Sequence, residues 1–320
     1  MGTVLQGVGL ALTFASSVLL ARVLGPEGLG QFSYALAIVG ALSTFATLGI
    51  PTVVARLLAS YQSNATWGRA RGLLRWSNLA ISGVGLVLCL GLMAFGLFAM
   101  VGNVRWLYVL AAPLVVVIAW TNLRQRALQG LRHPLAAQLP EQFVKHSVFI
   151  AIVGVFWHGG HHSLTQPHGV MAMWLTATAV ALLVGALLMA RFTPPALGHA
   201  TPQYSPDEWA AIALPILTAD LLGMVLSNSD TILLGWLRPS DEVGVYQVAL
   251  RLSGLMLIPL GASNWALAPW FSRLQAAGDI RRLQSVVTRT TRALFGLTAA
   301  LYVLVVVLGE PLLNAFYGPS

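Results

Sequence analysis

Two apolar segments meet at residues 19–32, LLARVLGPEGLGQF. This stretch ends one apolar run, continues through a Gly-Pro-Glu-Gly turn at residues 25–28 and begins the next run. Glycine and proline together interrupt a helix, because glycine tolerates a left-handed backbone and proline lacks a backbone N–H. The stretch therefore predicts a helix, a tight turn and a second helix. Each flanking run has the length of about 20 mostly apolar residues that a bilayer crossing needs.

The composition of the whole chain indicates the same environment. Of the 320 residues, 57% are hydrophobic and 9% are charged. A soluble domain carries roughly 25% charged residues, so most of this chain uses lipid as its solvent. No cleavable signal peptide is visible, and we expect the first helix to serve as an uncleaved anchor. The single cysteine, Cys89, lies in an apolar run and has no partner for a disulfide or a metal site.

Hydropathy along the chain predicts an all-α, polytopic bundle of about nine transmembrane helices. Pro51 lies within the long second segment, where the missing backbone donor should bend the helix. No loop is long enough to form an independent soluble domain. The predicted segments are residues 3–24, 31–60, 77–101, 106–128, 139–157, 169–190, 209–237, 243–270 and 293–313.

The basic residues predict the orientation of these segments. With loops on alternating sides, 14 of the 18 basic residues fall on the side of the even-numbered loops and three on the other, while Arg251 lies within a helix. Such an excess marks the cytoplasmic side. We therefore expect a multi-pass protein of the inner (plasma) membrane with a cytoplasmic N-terminus. The net charge of +8 then reflects topology, which argues against a nucleic-acid partner.

An internal repeat relates two parts of the chain at an offset of 214 residues. It aligns residues 19–40 with residues 233–254, and both windows contain a helix end, an acidic Pro-containing turn and the start of the next helix. Arg75 aligns with Arg289 at the same offset. The identical pairs are Leu19/Leu233, Leu20/Leu234, Gly30/Gly244, Ala35/Ala249, Leu36/Leu250 and Gly40/Gly254.

The repeated units begin six crossings apart, which predicts two lobes. An even number of crossings preserves orientation, so the axis relating the lobes should run along the membrane normal. We expect a six-helix N-lobe at residues 1–195 and an incomplete, three-helix C-lobe at residues 205–320. The chain is therefore expected to be a fragment or a truncated relative of a longer transporter.

Residues 19–32 resemble the opening of the polysaccharide biosynthesis, or oligosaccharide flippase, family of the multidrug/oligosaccharidyl-lipid/polysaccharide (MOP) exporter superfamily. In that family the first helix typically ends in an Arg-x-Leu-Gly-Pro turn followed by Gly-x-Phe or Gly-x-Tyr. The resemblance covers nearly the whole chain. It continues at residues 48–51 with Arg56, and at residues 230–235, 242–246, 267–269 and 277–279.

The resemblance implies a flippase with two six-helix lobes, a central cavity and alternating access. Such a protein carries undecaprenyl-diphosphate-linked oligosaccharide from the cytoplasmic to the periplasmic leaflet during cell-surface polysaccharide biosynthesis, O-antigen export included. Its partners are the lipid-linked oligosaccharide, membrane lipids and a coupling ion, H⁺ or Na⁺. We expect no cofactor.

A diphosphate inside a bilayer needs cationic donors, because the anion loses its water there. Arginine suits this role, since its fork of N–H groups matches phosphate oxygens and its charge survives burial. The resemblance places charged positions at Arg22 and Arg56, and Arg251 and Lys145 complete the candidate set. The alternative role for these side chains is snorkelling to the head-group layer.

Two intramembrane acids, Asp220 and Asp230, are candidates for ion coupling, because such acids are functional by default. Asp230 could instead be a helix-end residue at the interface. Glu141 is a third candidate. Its spacing from Lys145, i to i+4, also predicts a structural ion pair.

The sequence contains no strong catalytic motif. Residues 158–162, HGGHH, resemble one histidine box of a di-iron enzyme, but the remaining histidines are isolated, and the nearby glycines and Pro167 favour an irregular turn. No P-loop or nucleophile elbow is present. We therefore expect no metal site and no enzyme.

Three other functions remain open. One is a multidrug/cation antiporter of the same superfamily, although the more cationic than acidic candidate residues should repel cationic drugs. Another is a membrane scaffold without transport activity. The last is a membrane-embedded polymerase or glycosyltransferase, which would carry a large functional loop that this sequence lacks.

Overall fold

The computed structural model describes residues 2–158, 166–256, 263, 274 and 278–317. These residues form helices joined by short turns, without a β-strand among them, as the sequence predicts. The helices are α1 (Gly2–Thr47), α2 (Ile50–Ser63), α3 (Trp67–Ala99), α4 (Gly102–Gly130), α5 (Pro134–Leu139), a π-helical turn (Pro140–Val144), α6 (Lys145–His158), α7 (Pro167–Phe192), α8 (Pro195–His199), α9 (Pro206–Leu237), α10 (Ser240–Leu255) and α11 (Ile280–Tyr317).

Six helical segments within the described residues are long and apolar enough to cross a membrane. The first of them joins the first predicted segment to most of the second. The eighth predicted segment, 243–270, begins in α10 and continues outside the described residues, and the ninth, 293–313, lies within α11. The count of nine stays a prediction. The six segments are Gly7–Thr47, Trp67–Ala99, Gly102–Gly130, Pro134–Trp157, Pro167–Phe192 and Pro206–Leu237.

The predicted turn at residues 25–28 is a one-residue break. Gly25 has φ 65° and ψ −180°, and the helix resumes at Pro26. Glycine reaches this backbone region without the steric penalty of a Cβ atom. Proline suits the first position of the resumed helix, where no intrahelical bond needs its N–H. The turn is therefore shorter than the four residues expected from the sequence.

The bend predicted near Pro51 is confirmed as a second break. Helix α1 ends at Thr47, Leu48 and Gly49 have φ of 52° and 68°, and α2 begins at Ile50. Pro51 falls in the first turn of α2, where its missing N–H leaves no helical bond unmade.

Two helices begin well before the predicted membrane segments. Helix α3 starts at Trp67 rather than at residue 77, and α11 starts at Ile280 rather than at residue 293. Hydropathy locates where a chain enters the bilayer, whereas a helix can continue into water on its own hydrogen bonds. Arginines that the sequence analysis assigned to loops, such as Arg69 and Arg289, are therefore helical.

The chain forms two compact units, Pro26–Gly244 and the combination of Met1–Gly25 with Val245–Ser320. In the larger unit α4 is central, since it packs against α2, α3, α5 and α7 and buries residues along most of its length. In the smaller unit, Leu20 and Leu252 are among the buried side chains. The predicted division into lobes at residues 195–205 stays a prediction.

The start of α9 is anchored by Trp209. This side chain is fully buried, its indole N–H donates to the hydroxyl of Tyr61 at 3.2 Å, and its ring lies 5.6 Å from that of Trp76. The segment that precedes α9 runs along α3, where the N–H of Gln203 donates to the carbonyl of Gly68 at 2.9 Å. These contacts fix α9 against α2 and α3.

Two glycines that the repeat aligns make a reciprocal helix contact within the larger unit. A Cβ atom on Gly30 would overlap the carbonyl oxygen of Ser240, and a Cβ atom on Gly244 would overlap that of Pro26. Pro26 and Ser240 are themselves 214 residues apart. A two-fold relation produces such a pattern, because residue i meets j while the counterpart of i meets the counterpart of j.

The Gly30→Ala substitution tests this contact. We expect the apparent melting temperature in detergent to fall by roughly 5 °C, since overpacking costs about 1–3 kcal/mol and each kcal/mol shifts melting by about 2–4 °C. The control is Gly83→Ala in α3, where a Cβ atom meets nothing within 4 Å. Equal melting temperatures for the two variants would show that the contact is not tight in solution.

Candidate functional site

A cleft of about 430 Å³ lies within the larger unit, between α1, α2, α4 and α9. Its volume falls in the range of small-molecule sites, about 300–1,000 Å³. The lining residues are Gly40, Ser43, Thr44, Thr47, Pro51, Thr52, Ile118, Asn122, Gln125, Arg126, Asp220, Gly223, Met224, Ser227 and Asn228.

The break between α1 and α2 shapes one wall of the cleft. A Cβ atom on Gly49 would lie 2.5 Å from the carbonyl oxygen of Ala213 and 2.6 Å from the nitrogen of Leu217. The α1–α2 junction therefore touches the backbone of α9 directly. Towards the other end of α9, a Cβ atom on Gly235 would overlap the ring of Tyr34. The cleft residues of α9 lie between these two contacts along the chain.

Hydroxyl and carboxamide groups dominate the walls. Several hydroxyls are bonded back to their own helix: Thr44 Oγ1 donates to the carbonyl of Gly40 at 2.9 Å, and Thr47 Oγ1 to that of Thr44 at 2.7 Å. The buried hydroxyl of Ser43 has no hydrogen-bond partner in the part of the chain that the structure describes. Because polar groups inside a membrane are costly, their concentration here makes the cleft the candidate functional site.

Asp220 lies in this cleft, half-buried on α9. The cleft also contains Arg126, whose guanidinium donates to Gln129 Oε1 at 3.2 Å. These two are the charged residues among the described lining residues. The structure thus brings an acid and an arginine to the same polar cleft.

The sequence analysis did not propose Arg126 as a binding residue, because it counted this arginine only among the basic residues that mark the cytoplasmic side. The signal was the spacing of Asn122, Gln125 and Arg126, which stand at i, i+3 and i+4 and so share one face of a helix. Arg124, on another face of α4, donates to Asn78 Oδ1 at 2.9 Å. The indole N–H of Trp120 donates to the hydroxyl of Ser82 at 3.1 Å. Both bonds tie α4 to α3 and orient its polar stripe towards the cleft.

The other candidate acids lie outside the described lining of the cleft. Asp230 Oδ1 accepts the backbone N–H of Thr231 at 2.7 Å. Glu141 forms the ion pair with Lys145 that its spacing predicts, at the π-helical turn. Lys145 Nζ also lies 5.3 Å from the ring centre of Trp174.

The remaining candidate cations are placed on three helices. Arg56 is exposed on α2 in the larger unit. Arg22, exposed on α1, and Arg251, half-buried on α10, belong to the smaller unit. The described cleft lining includes none of the three, and their role in binding diphosphate stays a prediction.

The part of the chain that the structure describes contains no group of three or more His, Cys, Asp or Glu residues placed to hold a metal ion. Most of the HGGHH stretch, residues 159–162, lies outside the described residues. Cys89 is buried in α3.

The described structure is similar to a solved structure titled as the inward-facing conformation of a multidrug resistance MATE family transporter of the MOP superfamily. The TM-score is 0.72 at 14% sequence identity, and the match covers 95% of this chain and 71% of that one. At 14% identity this similarity shows that the two proteins share a fold. The chain is a multi-pass membrane protein with the helical fold of a MOP transporter.

The family of the chain follows from its sequence. Residues 2–275 match the family described as polysaccharide biosynthesis protein. The chain therefore belongs to the polysaccharide biosynthesis protein family, and the resemblance seen at residues 19–32 is confirmed. Family and fold together are those of membrane transporters rather than of enzymes. No curated protein sequence matches the chain.

Cysteine labelling tests whether water reaches the cleft. In a Cys89→Ser background, Ser227→Cys should react with a small charged thiol reagent at least about tenfold faster than Ser77→Cys, because a thiol must be solvated to ionise and react. Ser227 lines the cleft, whereas Ser77 is fully buried in α3. Similar labelling rates at the two positions would mean that the cleft is closed to water.

Proposed function

We propose that this protein flips undecaprenyl-diphosphate-linked oligosaccharide from the cytoplasmic to the periplasmic leaflet of the inner membrane, with its N-terminus in the cytoplasm. Family membership and the MOP fold support a transporter. The observation that carries the choice of substrate is the cleft wall, which combines carboxamides and hydroxyls with one arginine. This combination suits a ligand that joins a sugar to a phosphate.

The carboxamides suit the sugar part of that ligand. A sugar hydroxyl both donates and accepts hydrogen bonds, and an Asn or Gln side chain does the same with its two ends. Asn122 and Gln125 of α4 face Asn228 of α9 across the cleft. Asn228 Nδ2 donates to the carbonyl of Met224 at 3.2 Å, which leaves its amide oxygen available as an acceptor.

Arginines suit the diphosphate part. Arg126 is the guanidinium on the described cleft wall, and a bidentate guanidinium–phosphate contact is among the strong hydrogen-bonded pairs. We retain Arg22, Arg56 and Arg251 as further diphosphate ligands, encountered along the path of the head group. Lys145 could join them only if its pair with Glu141 opens.

Alternating access would use the two predicted lobes. The cleft lies between α2 and α4 of the predicted N-lobe and α9, the first helix of the predicted C-lobe. Asp220 and Arg126 would couple ion movement to flipping. Both residues line the same cleft, so Asp220 would bind the coupling ion while Arg126 engages the phosphate. Asp230 and Glu141 are secondary candidates for this coupling.

The substitution Arg126→Gln tests the phosphate contact. We expect the flipping rate of a fluorescent undecaprenyl-diphosphate glycan in vesicles to fall about 10- to 100-fold, because a hydrogen bond to a charged group contributes about 1.5–3 kcal/mol. The control is Arg191→Gln, which removes an exposed arginine from the last turn of α7. The triple variant R22Q/R56Q/R251Q should also abolish flipping if these arginines bind the head group. Normal flipping by well-folded Arg126→Gln would reject the phosphate role of Arg126.

The substitution Asp220→Asn tests ion coupling. An amide cannot take up a proton in this range or bind Na⁺ as a carboxylate does, so flipping should lose its response to an imposed H⁺ or Na⁺ gradient. The same gradients should still accelerate flipping by Asp230→Asn if Asp220 is the coupling acid. A gradient response that survives in Asp220→Asn would rule out this role.

The second candidate function is export of cationic drugs. Two observations favour it: the fold similarity to a MATE transporter and the carboxylate of Asp220 in the cleft. Arg126 opposes it, since a guanidinium in the same cleft repels a cation. Vesicles that accumulate a cationic dye but fail to flip the lipid-linked glycan would favour this candidate. Vesicles with neither activity would favour a scaffold without transport.

A further inference from the structure

The first turns of α11 carry four arginines on one side of the helix. At 100° per residue, Arg281, Arg282, Arg289 and Arg292 fall within an arc of about 100°. We call these four residues the basic stripe. All four side chains are exposed, whereas Leu283, Val286 and Leu294, which lie outside the arc, are half-buried. The start of α11 is thus amphipathic, with its charge concentrated on the open side.

The helical turns that carry the basic stripe contain no acidic residue to balance its charge. The sequence contains no acid from residue 280 to residue 309. The nearest preceding acid, Asp279, accepts the backbone N–H of Arg282 at 3.0 Å and so caps the helix. Within the described residues, no carboxylate pairs with an arginine of the stripe. Like charges at i, i+3 destabilise a helix, so Arg289 and Arg292 gain from an anion placed between them.

The repeat provides an internal comparison. The first turns of α3, which the repeat aligns with those of α11, also carry arginines, and protein groups contact two of them. Arg71 donates to the carbonyl of Ala200 at 2.7 Å, and Arg69 lies 3.7 Å from the carboxylate of Glu208. Two arginines at the start of α3 are therefore held by protein groups, whereas Arg75, the repeat counterpart of Arg289, is exposed like the stripe.

The position of the stripe identifies its ligand. Arg292 directly precedes the apolar run of residues 293–309, the predicted ninth transmembrane segment. Arg289 and Arg292 are about 4.5 Å apart along the helix axis. In the predicted topology, which places the start of α11 on the cytoplasmic side, they lie where the entering helix meets the phosphates of the cytoplasmic leaflet. Basic residues at this depth attract anionic lipids.

We propose that the basic stripe is a binding site for an anionic phospholipid of the cytoplasmic leaflet. Arg289 and Arg292 hold the lipid phosphate, while Arg281 and Arg282, about two to three helical turns further from the bilayer, add long-range attraction. The stripe belongs to the smaller unit and the candidate cleft to the larger one. It holds a lipid of the surrounding membrane rather than the transported one.

Native mass spectrometry of the purified chain in detergent tests the site. We expect phosphatidylglycerol to bind more tightly than zwitterionic phosphatidylcholine, and R289Q/R292Q to weaken the phosphatidylglycerol affinity about 30-fold. The matched control, R75Q/R191Q, removes two exposed arginines, one of them the repeat counterpart of Arg289, and should bind like the wild type. Glutamine is nearly as good a helix former as arginine, and circular dichroism checks the fold of each variant.

A second variant covers the case in which the double glutamine variant misfolds. R289K/R292K keeps both charges and should bind phosphatidylglycerol within about threefold of the wild type, since a lysine still binds phosphate as a point charge. Unchanged binding by folded R289Q/R292Q would overturn the proposal, as would an equal loss in R75Q/R191Q. Equally tight binding of inorganic phosphate alone would overturn the assignment to a lipid. The assay requires no transport, so its outcome is independent of the proposed flippase function.

Discussion

Direct contact between helix backbones at glycines is the constraint on which the arrangement of the larger unit depends. Gly49 brings the α1–α2 junction against α9, and Gly30 and Gly244 bring the resumed part of α1 against the start of α10. In a membrane, where helices gain little from the hydrophobic effect, close approach of small residues supplies packing that larger side chains cannot. The two contacts on α9, at Gly49 and Gly235, lie on either side of its cleft residues. Their tightness therefore sets how much space remains between α9 and its neighbours.

The cleft follows from this constraint. Where glycine allows contact, the helices touch, and between those points polar side chains fill the walls without closing the space. The hydroxyls of Thr44 and Thr47 form hydrogen bonds within their own helix, so the presence of these two groups in a membrane costs little. Asn228 and Arg126 also form one bond each within their own helices, but the amide and guanidinium groups have further donor or acceptor capacity for a ligand. The chemistry of the cleft is therefore determined mainly by α4 and α9.

The sequence predicted features that depend on local rules. Hydropathy predicted the regions in which the six candidate spans lie. Gly25-Pro26 and Gly49-Ile50-Pro51 located the two helix breaks, and i, i+4 spacing predicted the Glu141–Lys145 pair. It also singled out Asp220, because an acid in an apolar run is conspicuous. Arg126 was missed because its place depends on which face of α4 meets α9, and hydrogen bonds from Trp120 and Arg124 to α3 decide that face. The starts of α3 and α11 were missed because hydropathy indicates which residues lie in the bilayer, and it does not indicate where a helix begins outside it.

The repeat explains why the aligned glycines make the same contact while the aligned helix starts differ in their contacts. A duplicated hairpin brings the same glycines and the same basic helix start to both halves, and the glycine contact must be kept by both because each glycine packs on the other copy. No such reciprocity restrains the arginines. In α3, Arg71 and Arg69 contact Ala200 and Glu208, so their charge attaches α3 to the segment and helix that follow it. Arg75 and its counterpart Arg289 are both exposed, and the further arginines of α11 add a concentration of charge for which we propose a membrane lipid as the counter-charge.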